Sequence, residues 1–196
     1  MVVTDNSNSN DNNYIQSLVN NARVARLATI DFEETKPHIV PVVFVFDGNS
    51  YYIPIDKKSK KDYDPERLRR VRNIQENPNV ALLIDEYDED WSKLFFVMIQ
   101  GKGSLIGKFT GYDDDAKKIG NIKLDKKPTQ LHLHPQLKKS SSKRSSSSKS
   151  EYLLKNAQSL LIEKYPQYQK IGVGQWCIRI WPEKVFVWKM NSSQVR

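Results

Sequence analysis

Residues 57–72, "KKSKKDYDPERLRRVR", set Lys57, Lys58, Lys60, Lys61, Arg67, Arg69, Arg70 and Arg72 against Asp62, Asp64 and Glu66, a net charge of +5. Such density beside a helix start suits a phosphate, because guanidinium forks and helix-end N–H groups both accept oxyanions. A solvated, charged helix is the plainer alternative, and charge alone does not separate the two. A second cluster, "DEYDEDW" at 85–91, packs five carboxylates into seven positions ahead of the apolar run "LFFVMI". It could form a metal cage, a catalytic acid pair or the rim of a turn. A calcium loop wants a central Gly and a Glu at its twelfth position, whereas Trp91, Phe95 and Phe96 follow here. The acids are therefore read as a hairpin rim pointing to solvent. "LHLH" would set His132 and His134 on one side of a strand, but within a basic, low-complexity stretch. Cys177 is the only cysteine, so an internal disulfide and a thiolate zinc site within one chain are excluded, and "QWCIRIW" reads it as a small buried hydrophobe. The sequence presents no Ser-His-Asp set, Gly-rich phosphate loop or zinc-spaced His cluster, so no catalytic or metal-binding side chain is singled out.

The elements that must position these groups come next. The net charge of +8 invites a nucleic-acid reading, yet residues 117–149 hold ten Lys or Arg and one acid, +9, which leaves −1 for the rest of the chain. That segment contains no aromatic side chain for stacking bases, so only non-specific, salt-sensitive attraction is expected of it and no specific nucleic-acid partner. It is expected to be a disordered, Ser/Lys-rich insertion. Ile15, Leu18, Val19 and Ala22 predict an amphipathic first helix capped by Asp11, Asn12 or Asn13, after a disordered lead of residues 1–12. "RVARLATID" and "HIVPVVFVFDGNSYYIPID" alternate as strands, with "DGNS" as hairpin turn. A second helix opens at Asp64 as N-cap and Pro65, with Leu68, Val71 and Ile74 on one face, and stops at Asn77 and Pro78. "NVALLIDEY" and "KLFFVMIQGKGSLIG" follow as strands. After the insertion come a helix carrying Leu153, Leu154, Ala157, Leu160 and Leu161, and a closing strand pair in "GQWCIRIWPEKVFVWK". The expectation is one domain, residues 13–116 and 150–190 around the insertion, of mainly antiparallel β structure with helices packed outside a closed or half-closed barrel (α+β). No run approaches a membrane span and no secretory leader is visible, so the protein is expected to be cytoplasmic.

Three segments in order, "ARLATIDFEETKPHIVPVVFVFDGNSYYIPID", "RLRRVRNIQENPNVALLIDEYDEDWSKLFFVMIQGKG" and "IEKYPQY", resemble the pyridoxamine 5'-phosphate oxidase-like split β-barrel superfamily. The likeness is nearest its flavin/deazaflavin oxidoreductase branch, and "YDEDW" before a long apolar strand resembles a subgroup of probable coenzyme F420-dependent enzymes. This resemblance implies an FMN-binding type of split barrel, a homodimer with cofactor sites at the interface, and coenzyme F420 or FMN as cofactor. By the family's pattern Arg70, three residues before Asn73, lies near the cofactor phosphate, with Arg69 in reserve. Lys58 and Lys60 match a "K-x-K" pair with the same role. Pro41 and Val42 on one strand, and Ile55 and Asp56 at the end of the next, would lie along the ring, with Trp91 covering it.

The implied activity is that of an oxidoreductase passing a hydride to or from a small organic molecule. Such a protein needs no acid/base machinery of its own, since the cofactor carries the hydride. A non-catalytic flavin or haem carrier or sensor on the same fold is the alternative.

Overall fold

The computed structural model describes residues 2–3, 9–31, 33–56, 64–107 and 146–189. Lys58, Lys60, His132 and His134 lie outside them. The described elements are β1 (Val2–Val3), α1 (Ser9–Asn21), β2 (Ala25–Ile30), β3 (Pro37–Val42), β4 (Val45–Phe46), β5 (Tyr51–Ile55), α2 (Arg69–Glu76), β6 (Asn79–Glu86), β7 (Phe95–Gly107), α3 (Ser146–Lys164), α4 (Gln167–Ile171) and β8 (Trp176–Lys189). The strands form one antiparallel sheet in the order β3-β2-β6-β7-β8-β5-β4, with β1 added to β8. Its two end strands, β3 and β4, are consecutive in the chain and separated only by Val43 and Phe44. The sheet therefore curls until its ends are joined through a bent segment, which makes it a split barrel of the α+β class.

Alternation along the strands sorts side chains to the two faces. Ala25, Leu27, Leu82, Ile84, Val97, Ile99, Ile53 and Ile178 fill the interior, joined by Val19 of α1 and by Val71 and Ile74 of α2. Each such aliphatic side chain, when fully buried, contributes about 1.5–3 kcal/mol. A second cluster lies on the outer wall, where α3 and α4 set Leu154, Ala157, Leu161, Tyr165 and Tyr168 against Val45, Tyr52, Ile106 and Cys177. Burial pushes the Cys177 thiol up to about 12, so it stays protonated and behaves as the small hydrophobe its strand pattern indicated. Among the described residues no helix is long and apolar enough to cross a membrane.

The first two helices and the closing strands differ from the sequence-based expectation. The first helix begins at Ser9, with Asp11, Asn12 and Asn13 inside it instead of capping it. The second is broken. Asp64 caps a 3-10 turn at Pro65–Arg67 through Glu66 N, then Leu68 is extended (φ −75°, ψ 126°), and α2 proper starts at Arg69. The break lets Pro65 be buried along with Val71 and Ile74. Third, the closing strand pair is one 14-residue strand, β8. Pro182 signals a turn in sequence, but here it sits at a bulge, where Gln100 pairs with Lys184 and Gly101 with Pro182, leaving Glu183 without a counterpart. A Cβ on Gly101 would lie 2.1 Å from the Trp181 carbonyl oxygen, so only glycine admits this approach.

Candidate anion site at the barrel mouth

The helix α2 reaches the barrel through β7, where Gly103 leaves room: a Cβ there would stand 3.1 Å from Ile74 Cγ2. Its other anchor is polar. Along β2 the inward positions are Ala25, Leu27 and Thr29, and the third is a hydroxyl because Asn73 of α2 meets it, Nδ2 donating to Thr29 Oγ1 at 3.0 Å. Both side chains are buried, at 2% exposure each, so the bond fixes α2 against the end of β2 in a setting where neither partner has water to fall back on. Replacing Asn73 by alanine is expected to cost about 1–2 kcal/mol in urea unfolding, since Thr29 then keeps only its long contact (3.4 Å) to the His38 carbonyl.

This anchoring brings four ionisable side chains together. His38 of β3 pairs across from Thr29 and so shares its face. Arg69 is already committed: its Nε and Nη2 donate to Asp31 Oδ2 at 3.1 and 2.9 Å, and Nη2 lies 3.5 Å from Glu34 Oε2. The hydrogen bond to Glu34 N and the Arg69 guanidinium hold the Asp31 carboxyl below its usual range. Arg70, one residue on, has no such partner among the described residues. Its Nε is buried with no hydrogen bond, and so is Nδ1 of His38. Burial, then the Arg69 and Arg70 charges, lower the His38 pKa, with Asp31 opposing. Buried polar atoms without partners are rare in folded proteins. Two of them beside an uncompensated guanidinium fit an anionic group. His38 was missed in the sequence; the period-2 pattern that places it with Val40 and Val42 on the face of Thr29 was the available signal.

Of the residues assigned to the ring, Val42 and Ile55 share the interior cluster. β4 pairs with β5 as Val45 with Tyr52 and Phe46 with Tyr51. β3 ends at Val42 as the edge strand of the sheet, and β5 ends at Ile55 with Asp56 next in the chain. Val42 and Ile55 are buried in the interior cluster, so a ligand would meet only their main chain. Pro41 is exposed on the outer face. Asp56 accepts a 2.8 Å hydrogen bond from Tyr168 of α4, whose hydroxyl is kept protonated by burial and by this carboxylate. Trp91, 55% exposed, stands in the turn between β6 and β7. β2 runs antiparallel to β6, with Ala28 opposite Ala81, so Thr29 lies near Val80. The turn is then six or more residues along β6 from the anion cluster, roughly 20 Å. The acids around it are used locally: Asp88 accepts from Asp90 N at 2.8 Å, Asp90 from Ser92 N at 3.1 Å, and Lys93 lies 3.5 Å from both carboxylates. Asp85 is paired with Arg26. "DEYDEDW" is the rim of a hairpin.

Outside the sheet, a groove of about 440 Å³ runs over the small side chains of Ala28 and Ala81 between Ile30, Pro37, Gln100 and Lys184. It touches the anion cluster at Thr29, but His38 and Arg70 do not line it.

A family model described as pyridoxamine 5'-phosphate oxidase matches residues 13–143, two-thirds of the chain. The chain belongs to the pyridoxamine 5'-phosphate oxidase family. No curated protein matches it in sequence. Solved structures share the family's fold at low identity. A conserved hypothetical protein from Mycobacterium tuberculosis is 14% identical with a TM-score of 0.56, over 93% of this chain and 85% of that one. The haem storage protein HutZ from Vibrio cholerae is 14% identical with a TM-score of 0.52, over 89% and 92%. A FAD-binding protein from Mesorhizobium loti is 14% identical with a TM-score of 0.51, over 89% and 91%.

Proposed function

We propose that this family member is a cytoplasmic oxidoreductase that binds FMN or coenzyme F420 between two copies of the chain and serves a small organic substrate. The observation that carries the reading is the orphaned, buried Nε of Arg70, at the position the family pattern assigns to the cofactor phosphate. Arg70 holds the phosphate, Asn73 holds α2 and hence Arg70 in place, and Lys58 and Lys60 add charge to the same end of the cofactor. When bound, the cofactor supplies the hydride chemistry. The edge of β3 at Pro41 and Val42, which pairs with no further strand among the described residues, offers main-chain groups to the ring. The homodimer is supported by the outer face of β6, β7 and β8, where Leu83, Met98, Phe96, Phe186 and Trp188 form a half-buried apolar surface with Phe96 stacked on Trp188 at 5.9 Å. Trp91, at the edge of this face, would then reach the cofactor held by the other copy.

Titration of the purified protein with FMN and with coenzyme F420 tests the reading: at least one should bind in the micromolar range or tighter. Absence of binding by both would end it. Tight binding with no turnover of reduced cofactor by a broad panel of acceptors would leave the carrier or sensor role in its place.

A further inference from the structure

We infer that His38 is itself a ligand of the bound anion and engages it as an imidazolium, so that the site receives a phosphate monoester together with a proton. This rests on the reading of the cluster as the cofactor-phosphate seat. Two nitrogens, Arg70 Nε and His38 Nδ1, are buried without partners in one cluster, at the end of β2 where Thr29 and Asn73 lock α2 to the sheet. Among the described residues, the charged groups facing His38 are Arg69 and Arg70 from α2 and Asp31 from the turn after β2; Glu34 is shared between Arg69 and Lys36. Arg69 is bound up with Asp31 and Glu34, so among the described residues Arg70 is the guanidinium of this cluster left without an acid.

With nothing bound, burial and the two guanidiniums hold His38 below its ordinary 6.5, neutral at physiological pH. A dianion placed between His38 and Arg70 reverses the balance of charge and raises the pKa. Arg70 and His38 together then present two positive charges to two negative ones. FMN carries a monoester, dianionic above pH ~7 because its second ionisation lies near 6. The phosphate of the deazaflavin cofactor is a diester with a single negative charge, which lacks the second charge that would draw the proton. The cluster therefore favours the monoester.

Linkage fixes the sign. A proton taken up on binding makes affinity fall as pH rises, about tenfold per pH unit between the free and the bound pKa of His38. Calorimetric titration of FMN into the full chain, in two buffers of different ionisation enthalpy between pH 7 and 9, measures the uptake directly. The wild type should take up close to one proton and lose affinity with rising pH. His38→Asn, whose amide keeps a donor near Nδ1 but does not titrate, should bind with no uptake and a flat profile over the same range. Equal pH profiles for the two proteins, or wild-type binding without uptake, would overturn the role of His38 while leaving the phosphate seat standing; the histidine would then donate as its neutral Nδ1–H tautomer or not at all. Failure of FMN, coenzyme F420 and inorganic phosphate all to bind would overturn the seat as well.

Discussion

Replacing Arg70 by alanine should weaken FMN binding by about 10- to 100-fold and leave the thermal stability of the barrel almost unchanged. A hydrogen bond to a charged group is worth about 1.5–3 kcal/mol, which converts to a factor of that size. The effect on folding is small because Arg70 forms no ion pair among the described residues and its Nε has no acceptor, so truncation removes a buried, unsatisfied donor and not a stabilising contact. Arg72, two residues on and exposed, is the control: Arg72→Ala should change affinity less than about twofold, the usual size of a screened surface charge. Arg70→Lys should recover only part of the loss, since an ammonium restores the charge but not the planar fork. Equal losses for the Arg70 and Arg72 variants, measured by fluorescence titration with unfolding curves alongside, would reduce the basic run at 57–72 to a diffuse attractive surface.

The difference between those two arginines shows where sequence reading stops. Residues 57–72 announce an anion site through composition, and "NPNV" and Pro65 bracket the helix. Charge cannot say which guanidinium is free, because Arg69 is neutralised by Asp31 and Glu34, which lie more than 30 positions earlier and meet it only through tertiary packing. The same holds for His38, whose orphaned nitrogen exists because Asn73 draws α2 over the end of β2. The strand pairs with clear period-2 alternation, such as "NVALLIDEY" with "LFFVMIQGKG", were legible because one face is buried along their whole length. "HIVPVVFVF" reads as one strand because it is apolar throughout from Ile39 to Phe46, yet it bends at Val43 and Phe44 and changes partners from β2 to β5. Nothing in a hydrophobic pattern marks the point at which a strand leaves one neighbour for another. Here that point is held by a residue far along the chain.

That residue is Tyr165, and its replacement by phenylalanine should cost about 2–3 kcal/mol, a fall in Tm of roughly 5–10 °C for a chain of this size. Where β3 turns into β4, Phe44 sits in the gap between the two ladders and its main-chain groups have no strand partner. The Tyr165 hydroxyl accepts from Phe44 N at 3.1 Å and lies 2.9 Å from the carbonyl oxygens of both Phe44 and Arg23, so its one proton serves either of them. Tyr165 and Phe44 are both almost fully buried, which keeps water from replacing the lost hydroxyl, and burial also holds the phenol protonated above its ordinary range. Tyr168→Phe provides the comparison. Its hydroxyl donates to Asp56 at 2.8 Å, but Asp56 is exposed, so the carboxylate turns to water at a cost nearer 1 kcal/mol. Two identical deletions three residues apart should therefore differ by about 1–2 kcal/mol in urea unfolding, the gap set by whether water can reach the abandoned partner. Equal costs would mean that the bend satisfies its own backbone. The closure of the barrel would then not depend on Tyr165.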